Sequence, residues 1–325
     1  MLGSDVEELL DGLSQLTYTH HNKNVCLKIE NRHIESLVWD FDSLTLEQFY
    51  FLEGLQIKTL CFLGACPTGR LCIHLSSLGE LYCFSNQLTE LDLSAVPQLT
   101  ELWCGRNQLT ELDLSAVPQL IILCCRKNLL SELDLSKVPH LSGLHCGGNH
   151  LAELDLSVVS QLTELDCQEN ELTELDLSTL LQLTNVWCEK NQLIDLDLSA
   201  VPQLTRLSCG GNRLTELDIS PVQQLTRLSC PGNQLTELGL SAAPQLTELW
   251  CWENQLTELD ISSVAQLTML SCAKNQLKEL DLSAALQLTE LYCGGNQITE
   301  LDIRSLKNLI VFHADETVHV IGNRP

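Results

Sequence analysis

Three side chains that could build a thiol nucleophile lie at equal intervals along the chain. Cys124, His145 and Asp166 are 21 residues apart. If this interval stacks them on neighbouring strands, about 4.8 Å apart, they would form the thiol, imidazole and carboxylate chain that activates a cysteine. An open sheet, however, offers no evident oxyanion hole and excludes little water. We therefore expect no enzyme and no catalytic residue, and keep a thiol enzyme and a merely reactive Cys124 as alternatives.

A second cluster of residues that could do chemistry lies nearer the N-terminus. Cys61, Cys66, Cys72 and His74 follow the pattern C-x4-C-x5-C-x-H. Cysteine and histidine are ligands that zinc prefers, but the first two cysteines are farther apart than the usual spacing of two to four residues. We expect no metal site and no cofactor, with a zinc site in this segment as the alternative.

An internal repeat determines which elements would position these residues. Eleven units of 21 residues run from Leu78 to residue 308 with the consensus LTELxCxxNQLTELDLSxxxQ. The leucine at position four and the cysteine at position six point one way, and positions three, five and seven point the other, which predicts a short parallel strand. The asparagine at position nine turns the chain and can bond backbone groups of the neighbouring turn. Leucines at positions eleven, fourteen and sixteen then fill the same core.

This 21-residue unit resembles bacterial leucine-rich repeats, and its cysteine column resembles the cysteine ladder of internalins. The resemblance covers residues 78–308 and implies a leucine-rich repeat solenoid: a curved, right-handed α/β-type solenoid with a parallel sheet on its concave face. Position twenty is proline in five units, which argues against convex helices and favours mostly extended or 3-10 segments on the convex side. These prolines are Pro97, Pro118, Pro139, Pro202 and Pro244.

The ends of the chain depart from the consensus, as the caps of a repeat array must. We expect an N-terminal helical cap over 1–56, with helices at 4–15 and 43–55. A degenerate repeat follows at 57–77, where Phe62 takes the place of the cysteine. The eleven full repeats occupy 78–308, and a C-terminal cap occupies 309–325.

The cysteine at position six is present in all eleven units, from Cys83 to Cys293. Adjacent strands lie about 4.8 Å apart, whereas disulfide-bonded Cβ atoms lie about 3.8 Å apart. A straight column also cannot wrap four thiolates around zinc. We therefore expect free cysteines that act as small buried hydrophobic residues.

Two acidic columns account for about half of the acidic residues. Position thirteen is acidic in all eleven units and position fifteen is Asp in ten, with Gly239 as the exception. The columns could form a cation ladder, but we favour a solvated rim in which each Asp bonds backbone N–H groups of the turn before the next segment. The net charge of −25, with only 18 Lys and Arg residues, argues against nucleic-acid binding.

The variable positions three, five and seven carry aromatic and arginine side chains that the strand phase directs away from the core. Exposed aromatic residues on a sheet are typical of a binding surface, and Trp and Arg dominate interface energetics. We expect Arg206 and Arg227 to pair with acidic groups of a partner, and keep scattered surface variation as the alternative. The predicted partner-binding residues are Tyr82, Trp103, Arg126, His145, Trp187, Arg206, Arg227, Trp250, Trp252 and Tyr292.

The predicted function is a protein–protein interaction module. The chain is similar to the repeat-bearing effectors that bacterial pathogens inject into host cells, which implies a secreted bacterial effector that binds a host protein through its concave face. We see no Sec signal peptide, membrane span or wall anchor, so we expect a monomer that reaches the host cytoplasm by a non-Sec route, or one that stays in the bacterial cytoplasm. Two further alternatives are a purely structural or adhesive repeat, and the repeat domain of a larger effector such as a ubiquitin ligase whose catalytic domain is absent here.

Overall fold

The computed structural model describes residues 19–20, 23–24, 28–30, 33–40, 56–64, 66 and 69–323. These residues divide between two compact units, Met1–His150 and Leu151–Pro325. The predicted helices 4–15 and 43–55 lie outside the described residues. The described part of the predicted cap between 19 and 40 consists of strands, so the helical N-terminal cap is not supported.

The first unit is built on a sheet with the strand order β3-β4-β5-β7-β9-β10-β11, parallel except for the antiparallel pair β3 and β4. Strands β1 and β2 form an antiparallel pair, and β6 and β8 a parallel one. The strands are β1 (Thr19–His20), β2 (Lys23–Asn24), β3 (Lys28–Glu30), β4 (His33–Asp40), β5 (Thr59–Leu63), β6 (Arg70–Cys72), β7 (Glu80–Tyr82), β8 (Glu90–Asp92), β9 (Glu101–Trp103), β10 (Ile122–Cys124) and β11 (Gly143–His145).

The second unit repeats the same design, with parallel strands β12 to β18 in chain order followed by β20, and a separate parallel pair of β19 and β21. Most strands are three residues long, because only positions three to five of each 21-residue turn belong to a strand. The strands are β12 (Glu164–Asp166), β13 (Asn185–Trp187), β14 (Arg206–Ser208), β15 (Arg227–Ser229), β16 (Glu248–Trp250), β17 (Met269–Ser271), β18 (Glu290–Tyr292), β19 (Glu300–Asp302), β20 (Val311–His313) and β21 (His319–Ile321).

The cysteine column lies in the core, as predicted. From Cys83 to Cys272 these side chains are fully buried, Cys293 is 3% exposed, and all are free thiols. Burial away from water raises the pKa of each described column thiol for which a shift is resolved, to about 12 at Cys146, because it penalises the thiolate. The cysteines therefore serve as small apolar side chains within the stack.

The asparagine at position nine links neighbouring turns, which confirms the bonding predicted for it. The Asn128 amide donates to the carbonyl of Cys104 at 3.1 Å and to that of Cys125 at 2.9 Å, while its Oδ1 accepts from the Leu109 N–H at 3.1 Å. The same three bonds recur around Asn254 in the second unit. Each of these amides satisfies backbone groups that burial would otherwise leave unpaired.

The return path uses hydrogen-bonded turns rather than helices. The Val117 N–H donates to the Leu114 carbonyl at 3.1 Å and the Leu120 N–H donates to the Val117 carbonyl at 3.2 Å, which is the i→i+3 spacing of 3-10 turns. Before these turns, the position-fifteen carboxylate accepts the N–H two residues ahead, at 2.8 Å for Asp113 and Ser115. All ten aspartates of this column make that bond. The predicted turn role of the column is confirmed.

Within the described residues, no helix is long and apolar enough to cross a lipid bilayer.

Candidate functional site: the outward face of the strands

An aromatic stack covers part of the outward sheet face in the first unit. The rings of Tyr82 and Trp103 lie 6.1 Å apart between centroids, and those of Trp103 and His145 lie 6.3 Å apart. Trp103 and His145 flank Cys124 in register on either side, so their strands are two spacings, or about 9.6 Å, apart. The two rings therefore lean toward each other across the strand that carries Cys124.

Two carboxylates that the sequence interpretation did not single out hold this stack in place. The Trp103 indole N–H donates to Glu101 Oε2 at 3.2 Å. The Tyr82 hydroxyl lies 3.3 Å from Oε2 of both Glu80 and Glu101. Burial, followed by the nearby charge of Glu101, raises the pKa of Tyr82. Glu80 and Glu101 occupy position three, two residues before Tyr82 and Trp103, and this spacing was the sequence signal for the pairing.

The surroundings of Cys124 do not favour a nucleophile. Burial raises the pKa of its half-buried thiol, whereas an activated cysteine needs a lowered pKa. His145 is in register with Cys124, but its ring stacks on Trp103. Asp166 belongs to the second unit, where it is fully buried and its Oδ1 accepts the Gln168 N–H at 3.2 Å.

The cysteines of the alternative zinc site occupy different elements. Cys61 lies on β5 of the main sheet and Cys72 lies on β6 of the separate pair, while the Cys66 thiol is 3.5 Å from the Arg70 carbonyl. In the part of the chain that the structure describes, no group of three or more His, Cys, Asp or Glu residues is placed to hold a metal ion.

The second unit carries a surface that we call the trough, which lies between two tryptophan walls. Trp187 on β13 forms one wall, and Trp250 on β16 with Trp252 just beyond it forms the other; all three are partly exposed. The strands between the walls, β14 and β15, carry only small residues at positions five and seven. These floor residues are Ser208, Gly210, Ser229 and Pro231.

Two arginines lie at one end of the trough, at position three of its central strands. Arg206 and Arg227 are in register on adjacent strands, and both are exposed. Arg227 Nη2 pairs with Glu248 Oε1 at 2.9 Å. Arg206 makes no ion pair within the described residues. Asn185, its other neighbour in register, donates instead to Glu164 Oε1 at 3.2 Å.

The remaining predicted site residues lie outside these two clusters. Arg126 follows β10 and is partly exposed. Tyr292 stacks on His313 with ring centroids 5.1 Å apart. The structure therefore gathers Tyr82, Trp103 and His145 in the first unit and Trp187, Arg206, Arg227, Trp250 and Trp252 in the second.

At position five, the strand phase alone was wrong about exposure in two turns. Asp166 is fully buried and Ser271 is 8% exposed. Trp187 lies in register beside Asp166, and Trp250 and Tyr292 lie on either side of Ser271. Large neighbours cover a small side chain between them, so exposure at position five depends on the adjacent turns as well as on the phase.

Comparison with known proteins identifies the repeat. The Leucine Rich Repeat family model matches residues 287–309. The functional domain of InlJ from Listeria monocytogenes, which includes a cysteine ladder, is similar with a TM-score of 0.69 and 39% identity, covering 74% of this chain and 59% of that one. The chain thus spans less than two thirds of the length of that InlJ structure.

Two further structures are similar. YopM from Yersinia enterocolitica has a TM-score of 0.62 and 29% identity, with 82% of this chain and 58% of that chain covered. A leucine-rich repeat protein of Leptospira interrogans has a TM-score of 0.73 at 21% identity, covering 98% of this chain and 86% of that one, and this likeness shows the fold alone. A search of curated proteins gave no significant match.

Proposed function

We propose, from the premise that this chain is a bacterial leucine-rich repeat protein with a cysteine ladder, that it is a protein-interaction module that binds its partner through the outward sheet face. The observation that carries the proposal is the trough. Trp187, Trp250 and Trp252 stay partly exposed on either side of the small floor residues. Partly exposed tryptophans beside arginine have the composition of interface hot spots.

The scaffold supports this use of the face. Buried leucines, cysteines and asparagines satisfy the packing and hydrogen-bonding needs of each turn, while the side-chain type varies among the turns at positions three, five and seven. A rigid array with a freely variable face suits protein recognition. No comparable variation in charged or aromatic type occurs at the buried positions four and six.

The proposed partner is a host protein, and the proposed role is that of a secreted bacterial effector. This part of the proposal rests on the resemblance of the repeat to injected effectors and on the likeness to proteins of Listeria and Yersinia. Delivery by a non-Sec route into the host cytoplasm belongs to the same proposal.

Capture from host-cell lysate, followed by affinity measurement with the identified protein, tests the proposal. Trp187→Ala and Trp250→Ala should each weaken binding by more than fivefold, because truncating a hot-spot tryptophan costs more than about 1 kcal/mol. The matched control is Leu181→Ala, which removes a side chain that is 62% exposed but lies outside the strands. Binding that is unchanged in both tryptophan variants would contradict the proposed face.

A further inference from the structure

We propose that the trough receives an extended acidic segment of the partner protein, with a carboxylate of that segment held between Arg206 and Arg227. This inference rests on the proposed function and specifies the chemistry of its partner. It follows from the width of the trough, the shape of its floor and the charge at its end.

The distance between the walls fits one extended chain. Trp187 and Trp250 lie on strands β13 and β16, three strand spacings or about 14 Å apart. Packed β-sheets lie about 10 Å apart when side chains fill the space between them, so the distance between the two wall strands leaves room for one extended chain with its side chains. A segment in the trough would therefore run along the strands rather than across them.

The floor allows the backbone of such a segment to approach closely. At position seven, a Cβ atom on Gly210 would lie 2.7 Å from Pro231 Cδ and 3.0 Å from its carbonyl oxygen. Packing of the proline ring thus requires glycine at position 210, so no side chain projects from the floor at this point. The hydroxyls of Ser208 and Ser229, both partly exposed, can donate or accept hydrogen bonds with an extended backbone.

The charge at the end of the trough identifies the segment as acidic. The chain holds 43 acidic and 18 basic residues, yet Arg206 is exposed without an ion pair among the described residues and lies in register with Arg227. Arg227 uses Nη2 for its pair with Glu248, and a guanidinium group carries further N–H donors. A carboxylate between the two arginines would neutralise the charge of Arg206 and accept charge-assisted hydrogen bonds from both guanidinium groups.

The alternation of an extended chain then predicts a recognition pattern. Residues i, i+2 and i+4 of the segment face the same side. With an acidic residue at i beside Arg206 and Arg227, residues i+2 and i+4 lie between the walls, over Pro231 and beside Trp252. These two positions are expected to be apolar, because they would pack against the indole rings and the proline ring.

A fluorescence anisotropy titration tests this pattern with a labelled peptide, Ala-Glu-Ser-Leu-Ser-Phe-Ala, and two matched peptides that carry Gln or phosphoserine in place of Glu. The Glu peptide should bind at least tenfold more tightly than the Gln peptide. In Arg206→Gln/Arg227→Gln this preference should disappear. The control Arg213→Gln/Lys278→Gln makes the same change in net charge outside the strands and should keep it, and thermal melting verifies that both variants fold.

Several results would overturn the inference. Equal binding of the Glu and Gln peptides, or no binding of either, removes the acidic segment as the occupant. Tighter binding of the phosphoserine peptide than of the Glu peptide removes the carboxylate as the recognised group. Neither result alters the capture experiment with Trp187→Ala and Trp250→Ala, so failure of this inference is distinguishable from failure of the proposed function.

Discussion

The aspartate at position fifteen stabilises its turn through hydrogen bonds, and the same bonds lower the pKa of its own carboxyl group. Asp218 accepts the Ser220 N–H at 2.8 Å, and this bond, followed by that of the Ser220 hydroxyl, lowers the pKa of the carboxylate. Asp260 has a lowered pKa from the hydroxyl and N–H of Ser262. Between these two turns, Gly239 has no side chain to accept the corresponding N–H, and a Cβ added there would meet no atom within 4 Å.

Replacing this glycine should stabilise the protein. Gly239→Asp is expected to raise the melting midpoint by about 2 to 3 °C at pH 7, since it supplies the missing acceptor and restricts the unfolded backbone. Gly239→Ala is the control, because it provides only the backbone effect and a smaller gain. A midpoint for Gly239→Asp at or below that of Gly239→Ala would contradict the assigned role of the column.

The difference in melting midpoint between Gly239→Asp and Gly239→Ala should depend on pH, because the neighbouring carboxylates of this column have lowered pKa values. A carboxyl group whose pKa is lower in the folded state stabilises it fully above the unfolded pKa of about 3.9, and the stabilisation is lost as the pH falls through the folded pKa. Asp302, where Arg304 lowers the pKa to about 2, marks the acid end of this range. The advantage of Gly239→Asp over Gly239→Ala should therefore persist at pH 5 and disappear towards pH 2 in thermal melts.

Each turn of the chain is tied to the next by side chains as well as by strand pairing. Asparagine amides bridge the cysteine carbonyls of consecutive turns, and threonine hydroxyls add a second ladder, as Thr205 Oγ1 donates to the Thr184 carbonyl at 3.1 Å. Both ladders recur at the period of the sequence, which is why the strands, the buried cysteines and the asparagine bonds could be predicted from one consensus.

Removing one asparagine should be costly. Asn254→Ala would leave the carbonyls of Cys230 and Cys251 without the amide donor and the Leu235 N–H without its acceptor. Because each unsatisfied buried group costs about 1 to 3 kcal/mol, a loss of about 3 kcal/mol or more in the free energy of unfolding is expected. The adjacent exposed residue provides the control, and Gln255→Ala should change stability by less than about 0.5 kcal/mol. Similar urea midpoints for the two variants would argue against the ladder.

The candidate site was less predictable from the sequence than its scaffold. The phase indicated that Trp103, His145 and Trp187 lie on the outward face, but the lean of Trp103 toward His145 depends on side-chain torsions that no backbone period determines. The burial of Asp166 depends on the size of Trp187, a neighbour in space that lies 21 residues away in sequence. The trough required the same kind of information, because Ser208 and Ser229 form a floor only between two larger residues.

Most of the described thiols are buried, so their reaction with a reagent reports unfolding. Of the fifteen described cysteines, Cys72 and Cys124 are partly exposed and the others are buried. Burial also raises the pKa of these two thiols. An enzyme built on Cys124 would instead require a lowered pKa and rapid alkylation.

Thiol labelling at pH 7.4 should reflect this distribution. Among the described cysteines, only Cys72 and Cys124 are expected to react with iodoacetamide in the native protein, and slowly, while the cysteines of the column should react only as urea unfolds the chain. Mass spectrometry of peptides after timed quenching measures each site. Rapid native labelling of Cys124 would favour the thiol-enzyme alternative, and free labelling of Cys209 or Cys230 would contradict the buried column.

The interchangeable turns give recombination a way to change what the protein recognises. After an in-frame deletion of residues 204–224, Cys188 would lie next to Cys230. The Asn233 amide, which now donates to the Cys209 carbonyl, would then donate to the Cys188 carbonyl. The distance between the strands that carry Trp187 and Trp250 would fall from three strand spacings to two, from about 14 to about 10 Å. Arg206 would be lost with the deleted turn. The distance between the walls therefore changes only in multiples of one strand spacing. A single crossover between repeats can produce a binding face of different width and charge while the core stays the same.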